Sequence, residues 1–380
     1  MRRSSRASGP RGTVARAGVA RIRELEEEDL SAVVGLFERV YPEQRWPSRQ
    51  NCERYFREIL FANPWRELAL PSWIAEEDGA AIGFAGVLPR PMLFGTRTLK
   101  VAVGCQFMVH PEWRHSLVAL QLLKRVLAGP QDLFITDGAN EQVKHLWRAV
   151  GGTVPMLHNL DWTRVLRPSR YALALLERPG RRGPLHFAAR AACALADGVA
   201  ARARPNQFAR RDERVSDEPL DAGGILDHLP EVVNGDHPLR SHYDRESLAW
   251  VFGQAARKTR HGRLRARAVL DRERLLGWFL YYARPGAINE VLQLVACDGA
   301  FDRVLRRLLS DAWQQGATAV RGRLDPHHLQ ELSDRHCWMR REGAWTLIAS
   351  RHADLVGAIE RGSAGISRLD GEWWLRFLGQ

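Results

Sequence analysis

The chain has little that would staple it together or hold it in a bilayer. Its five cysteines, Cys52, Cys105, Cys193, Cys297 and Cys337, are odd in number, widely spaced, and include no Cys-x-x-Cys pair. Neither a disulfide framework nor a zinc site is indicated by them, and reduced thiols in a cytoplasmic setting fit best. No run approaches the ~18 consecutive apolar residues that a membrane-spanning helix needs. The opening residues 1–19 are rich in Arg, Ser and Gly and lack the apolar segment of a signal peptide, so a disordered basic tail is expected there. Lysine is scarce, and Arg carries nearly all of the positive charge.

What is present is ordinary globular composition, 45% hydrophobic and 26% charged, over 380 residues. That length exceeds what one core usually supports, so two domains are expected. The net charge of +12 and pI near 10.1 suit an anionic partner: nucleic acid, a membrane surface or a phosphorylated cofactor. They suit an Arg-rich solvated surface equally, since the charge is spread along the chain and forms no dense run.

The stretch Gln106 to Ala119 organises the first half. Val101, Val103, Cys105 and Phe107 alternate as one buried strand face, and Pro111 cannot continue a ladder. A short polar loop follows, and an apolar helix opens near Ser116 or Leu117. Strand, basic loop and helix N-terminus together make a place for phosphate, because unpaired N–H groups and the helix dipole face an anion and Arg114 adds a full charge. Around this stretch the sequence predicts a strand at Arg21–Leu25, a helix with Leu30, Val33, Val34 and Phe37 inward, and a helix from Ser48 to Phe61. Strands are expected at Ser72–Glu76, Ala81–Leu88 and about Thr96–Val109. After Gly129-Pro130 come a strand at Leu133–Thr136, a helix at Glu141–Val150 ended by Gly151-Gly152, and a strand at Val154–Val165.

This order resembles the GNAT acyltransferase family, whose members use acyl-coenzyme A (acyl-CoA). The family loop Val-x-Pro-x-x-Arg-x-x-Gly-x-Gly/Ala is met by Val109-His-Pro111-Glu-Trp-Arg114-His-Ser-Leu117-Val-Ala119. A second family segment, Asn-x-x-Ala-x-x-Leu-Tyr-x-x-x-Gly-Phe, is met by Asn140-Glu-Gln-Val143-Lys-His-Leu146-Trp147-Arg-Ala-Val-Gly151-Gly152. The resemblance covers residues 20–167. It implies that Arg114, His115, Ser116, Leu117, Val118 and Ala119 cradle the pyrophosphate of acetyl-CoA or another acyl-CoA co-substrate. It also implies that Phe107 and Val109 offer backbone to the pantetheine arm, and that Asn140 contacts that arm or caps its helix. Among the departures from the pattern, Leu117 stands where the family has Gly, and Trp147 stands where the family has a Tyr acid. An indole N–H only donates, so Trp147 is read as a core aromatic. No residue pair near the loop stands out as acid or base, and no catalytic residue is named.

Residues 168–214 shift in composition and read as a basic helical linker. A membrane-surface helix there would have mostly Ala and a single Phe187 on its apolar side, too weak for independent insertion. Residues 215–380 repeat the first half in outline: a helix at Arg245–Lys258, strands at Arg263–Leu270, Leu275–Ala283 and Asn289–Ala296, and a helix at Phe301–Trp313. Then follow a strand at Ala319–Leu324, a helix at Pro326–Ser333, a strand at Met339–Ala349 and a final strand around Leu369–Phe377. The expected fold is therefore α/β, with mixed α+β sheets, as two tandem GNAT-like domains joined by the basic linker. The second copy's loop, Cys297 to Asp302, carries Asp298 and Asp302, which would repel phosphate and cap the helix instead. Arg284 to Glu290 is a candidate lining for the acceptor cleft. The implied function is N-acyl transfer, N-acetyl transfer foremost, to a small amine or amino sugar. The alternatives are a catalytically silent acyl-CoA sensor and an aminoacyl-tRNA-dependent transferase of the peptidoglycan cross-bridge type, which the basic charge would suit.

Overall fold

A computed structural model of the chain describes residues 20–44, 48–176, 189, 191–193, 195–198, 214–232 and 237–375. The first half contains β1 (Arg21–Glu24), α1 (Leu30–Val40), α2 (Arg49–Leu60), β2 (Trp73–Glu77), β3 (Ala80–Pro89), β4 (Met92–Phe94) and β5 (Arg97–Leu99). It goes on through β6 (Val101–Val109), α3 (Val118–Leu127), β7 (Leu133–Ala139), α4 (Glu141–Ala149), β8 (Asp161–Val165) and α5 (Pro168–Leu176). The second half opens with β9 (Val215–Pro219), α6 (Ala222–Val232), β10 (Leu239–Ser241), α7 (Arg245–Ala256), β11 (Arg263–Asp271), β12 (Arg274–Ala283) and β13 (Ile288–Ala296). It closes with α8 (Phe301–Gln314), β14 (Ala319–Arg323), α9 (Leu329–Asp334), β15 (Trp338–Arg340), β16 (Trp345–Ala349), α10 (Ala353–Glu360) and β17 (Ala364–Gly365). Among the described residues no helix is long and apolar enough to cross a membrane.

Local chemistry accounts for the main boundaries. The Ser48 hydroxyl accepts from the Asn51 N–H at 3.1 Å and caps α2, whose Tyr55, Phe56, Ile59 and Leu60 turn inward. Gly151, at φ 83°, ends α4 in the left-handed conformation that glycine adopts without a Cβ penalty.

The strands form a six-stranded sheet (β1-β2-β3-β6-β7-β16), a seven-stranded sheet (β15-β8-β14-β13-β12-β11-β9) and a small four-stranded sheet (β17-β10-β4-β5). The linear reading is corrected here, because β8 and β16 are exchanged. β8 falls in the first GNAT-like half, yet it pairs with β14 and β15 of the second. β16 falls in the second half, yet it pairs with β7 of the first. Alternation tells which face of a strand is buried and is silent on its partner. The partner is set by shape: Trp162 stands directly opposite Gly322, where a Cβ would lie 2.8 Å from the indole.

Four further expectations change. The strand expected over Val154–Val165 is strand only from Asp161, after a 3-10 turn at Leu157–Asn159. The strand expected over Met339–Ala349 is two strands in two sheets, with the chain turning at Gly343 (φ 68°). The strand expected over Thr96–Val109 breaks at Lys100, and β5 joins β4 in the small sheet. Within the expected final strand, Trp373–Leu375 is a 3-10 turn, and Phe377 lies outside the described residues. The basic tail and most of the 168–214 linker also lie outside them. In the described part, the Asp197 carboxylate accepts from the N–H groups of Ser169 and Arg170 at the start of α5.

The halves also share a core. Leu36, Phe37, Tyr55 and Phe56 of α1 and α2 belong to one apolar cluster with Ile225, Leu248 and Val251 of α6 and α7. Trp278, Leu369, Trp374 and Leu375 complete it. α3 packs on the opposite face of the first sheet, and α8 on the corresponding face of the second.

Candidate active site

β6 is antiparallel to β3 along most of its length, but it pairs in parallel with β7 only over Val101–Val103 and Leu133–Ile135. Beyond that point the two strands diverge. At the divergence β6 bulges: its register against β3 shifts between Cys105 and Met108, and Gln106 adopts φ 53°. A bulge re-aims backbone groups and side chains where regular pairing would consume them. The gap between the strands is a cavity of about 280 Å³, lined by Cys105, Gln106 and Phe107 of β6, Thr136 and Gly138 of β7, and Asn140.

A carboxylate from the far end of the chain enters this gap. Glu372 accepts from the Gln106 N–H at 3.2 Å and from the Thr136 hydroxyl at 2.6 Å. Its own N–H donates to Asp137 at 2.7 Å, and Asp137 is in turn bound by Arg323 of β14 at 2.8 Å. A Cβ on Gly138 would collide with the Glu372 carboxylate, and one on Gly371 with Asp137, so both glycines permit the close approach. Upstream on the same segment, Arg368 bonds Asp161 of β8 at 2.9 Å and also Glu290 of β13, where β13 and β14 diverge. Residues 366–375 thus form a strap from the opening in the second sheet to the opening in the first.

Among the described residues lining the first cavity, Glu372 is the one carboxylate. Burial, with the Glu372 charge next, pushes the Cys105 thiol well above its ordinary range, so it stays protonated and inert. Burial does the same to the Tyr55 phenol, which donates to the Leu375 carbonyl at 3.3 Å.

Each residue of the sequence reading has a definite place. Phe107 and Asn140 line the cavity, while Asn140 also caps α4, its side chain accepting from the Val143 N–H at 2.9 Å. Val109 ends β6, buried against the face that α3 covers. Pro111–Trp113 is a 3-10 turn anchored by the buried Trp113. The Ser116 hydroxyl donates to the Trp113 carbonyl at 2.7 Å and accepts from the Val118 N–H at 3.2 Å. Arg114, His115 and Leu117 are exposed. Leu117 precedes α3 at φ −80°, so no glycine is required for the helix to open. Val118 and Ala119 turn their side chains into the core, and the Val118 N–H already donates to Ser116, so the Ala119 N–H is what this pair offers a ligand. None of the residues from Val109 to Ala119 lines the 280 Å³ cavity; they form the loop and helix start beyond it. Trp147 is a core residue, its indole N–H donating to the Ile348 carbonyl at 2.8 Å.

The pattern of a central strand, phosphate-type loop and helix is matched independently: residues 21–132 fit the acetyltransferase (GNAT) domain model. This part of the chain is therefore similar to the GNAT acetyltransferase domain. No curated protein matches it in sequence. Among solved structures it is similar to a GCN5-related N-acetyltransferase from Anabaena variabilis, at 11% identity and TM-score 0.57 over 87% of this chain and 72% of that one. One from Kribbella flavida gives 14% identity and TM-score 0.55 over 88% and 72%. Saccharomyces cerevisiae N-myristoyltransferase, solved with bound myristoyl-CoA, gives 11% identity and TM-score 0.50 over 95% and 86%. At these identities the likeness is one of fold, and it spans both halves of the chain.

In the second half, β13 and β14 pair only over Ile288–Glu290 with Ala319–Arg321 and then diverge around a cavity of about 440 Å³. Its loop differs from the GNAT domain's. α8 begins without a side-chain cap, and Asp302 is gripped by Arg335 at 2.5 and 2.8 Å, so it does not cap the helix as expected. Arg284 to Glu290 lines neither cavity. Glu372 was invisible in the sequence because it meets Gln106 from 266 residues away, with no motif around it.

Proposed function

We propose that the chain is an acyl-CoA-dependent N-acyltransferase whose reaction takes place between the diverging strands β6 and β7. The observation that carries this reading is the Glu372 carboxylate held at the bulge of β6, inside a GNAT domain. The pantetheine arm runs along the freed backbone near Phe107. The pyrophosphate lies at the start of α3, where the first N–H groups, the helix dipole and Arg114 favour an anion. Acetyl-CoA is the co-substrate to test first, and the acceptor class is a small amine or amino sugar.

Glu372 removes a proton from the acceptor ammonium. The freed nitrogen lone pair attacks the thioester carbonyl carbon, and the tetrahedral adduct collapses by breaking the C–S bond. Coenzyme A leaves as the thiolate and takes its proton from solvent. Trp147 has no part in this, because its N–H is spent on Ile348.

Calorimetric titration of the full chain with acetyl-CoA tests the binding step. The wild type should bind with one-to-one stoichiometry, and Arg114→Glu should weaken binding about tenfold or more, the loss of one charge-assisted phosphate contact. Absence of binding, or equal affinity for both proteins, defeats the proposal. Tight tRNA binding at ~150 mM salt without acetyl-CoA binding favours the aminoacyl-tRNA reading instead.

A further inference from the structure

The second cavity has its own chemistry on one edge. β14 runs out at Arg323, and two residues later Asp325 caps the short turn Pro326–His328, its carboxylate accepting from the His327 N–H at 3.1 Å. The His327 ring lies over the same carboxylate, with Nδ1 3.2 Å from Asp325 Oδ1. From the other side comes His237, just before β10, with Nε2 2.9 Å from Asp325 Oδ2. The two imidazoles meet edge to face with centroids 4.6 Å apart. One ligand atom from each of the three residues can be chosen so that all lie within 4.8 Å of one another. The backbone makes room for this grouping: a Cβ on Gly365 would press on the His237 ring at 3.2 Å, and one on Gly362 would meet Pro326 at 2.7 Å.

We propose that His237, Asp325 and His327 form a three-ligand site for a zinc-class divalent cation on the edge of the second cavity. Two imidazole nitrogens and one carboxylate oxygen are the donor set that such cations take. Ligand atoms about 2.0–2.1 Å from a tetrahedral cation stand about 3.3 Å apart. The 2.9 and 3.2 Å separations, one to each oxygen of the Asp325 carboxylate, are of that order, and the partly exposed His327 ring can turn to bring its nitrogen towards the oxygen that His237 faces. All three residues line the cavity, so the fourth coordination position faces it and is filled by water or by an oxygen donor of a cavity ligand. This is the open arrangement of a reactive or ligand-binding cation, in contrast to the closed four-ligand arrangement of a structural one. Of the guanidinium groups that line the cavity, Arg323 is paired with Asp137 and Arg368 with Asp161 and Glu290, while Arg240 also lines it. Cysteine spacing says nothing about this donor set, and 88 residues separate His237 from Asp325, so no linear motif announces it.

The test uses the full chain stripped with EDTA and titrated with Co2+ by visible absorption, followed by displacement with Zn2+. One equivalent should bind with micromolar or tighter affinity, giving the intense bands of four- or five-coordinate cobalt that Zn2+ removes. His327→Gln, whose ring is partly exposed and so leaves the core intact, should weaken binding at least about tenfold, and His237→Gln should do the same. Zn2+ should also raise the melting temperature of the wild type and leave that of His327→Gln unmoved. No saturable cobalt spectrum, or equal affinity in both variants and the wild type, overturns the site.

Discussion

Glu372 receives hydrogen bonds from a backbone N–H and a hydroxyl, which hold its carboxylate at the bulge of β6. The same strap packs against a titrating group of the second half. Its Trp373 ring lies 5.5 Å from the ring of His261, which also stacks on Tyr282 at 5.2 Å. Burial, then the charges of Lys258, Arg260 and Arg284, lower His261 to about 4. Between that value and the ordinary 6.5 the unfolded chain binds a proton that the folded chain does not. Stability is therefore complete above about pH 6.5 and declines as pH falls towards 4. Denaturant titrations at several pH values should show this decline, and His261→Phe, which keeps the stack, should make it shallower, with His158, also lowered to about 4 by burial, supplying a remainder. An unchanged slope in that variant would remove His261 as the cause. At this scale the sequence was readable wherever a role is local. Asn140 as a cap, Ser48 as a cap and Trp147 as a core aromatic follow from near neighbours, whereas the role of Glu372 depends on a fold that brings residue 372 to residue 106.

Several strands were found with close boundaries, and their partners were not, while β4, β9, β10 and β17 were not expected at all. Arg274–Ala283 and Ile288–Ala296 differ by a residue at most from their expected spans. The failures concentrate at β8, β15 and β16, where the chain crosses between sheets. Alternating apolar residues satisfy any sheet that offers a core, so only a shape match such as Trp162 against Gly322 selects the partner. This leads to a prediction of sign. Gly322→Val would stabilise an ordinary strand, since β-branched residues suit strands. With Trp162 opposite, it should instead cost about 1–3 kcal/mol through overpacking, read from the urea midpoint. Stabilisation would show that β8 does not lie against β14.

Across the whole molecule, the two halves are not beads on a linker. Each sheet contains a strand from the other half, one apolar cluster takes residues from both, and the strap carries Arg368 to one opening and Glu372 to the other. In the proposed reaction the first half supplies the acyl-CoA loop and the diverging strands, while the second supplies the base. The match to the domain model ends at residue 132, and the fold likeness runs through most of the chain. The most direct measurement is thiol release from acetyl-CoA by the full chain over a panel of amines and amino sugars, comparing wild type with Glu372→Gln. The account predicts turnover by the wild type with at least one acceptor, and a fall of about 10²–10⁴-fold in kcat in the variant with acetyl-CoA binding retained. Equal turnover by both proteins, or none by the wild type with any acceptor despite acetyl-CoA binding, would contradict it.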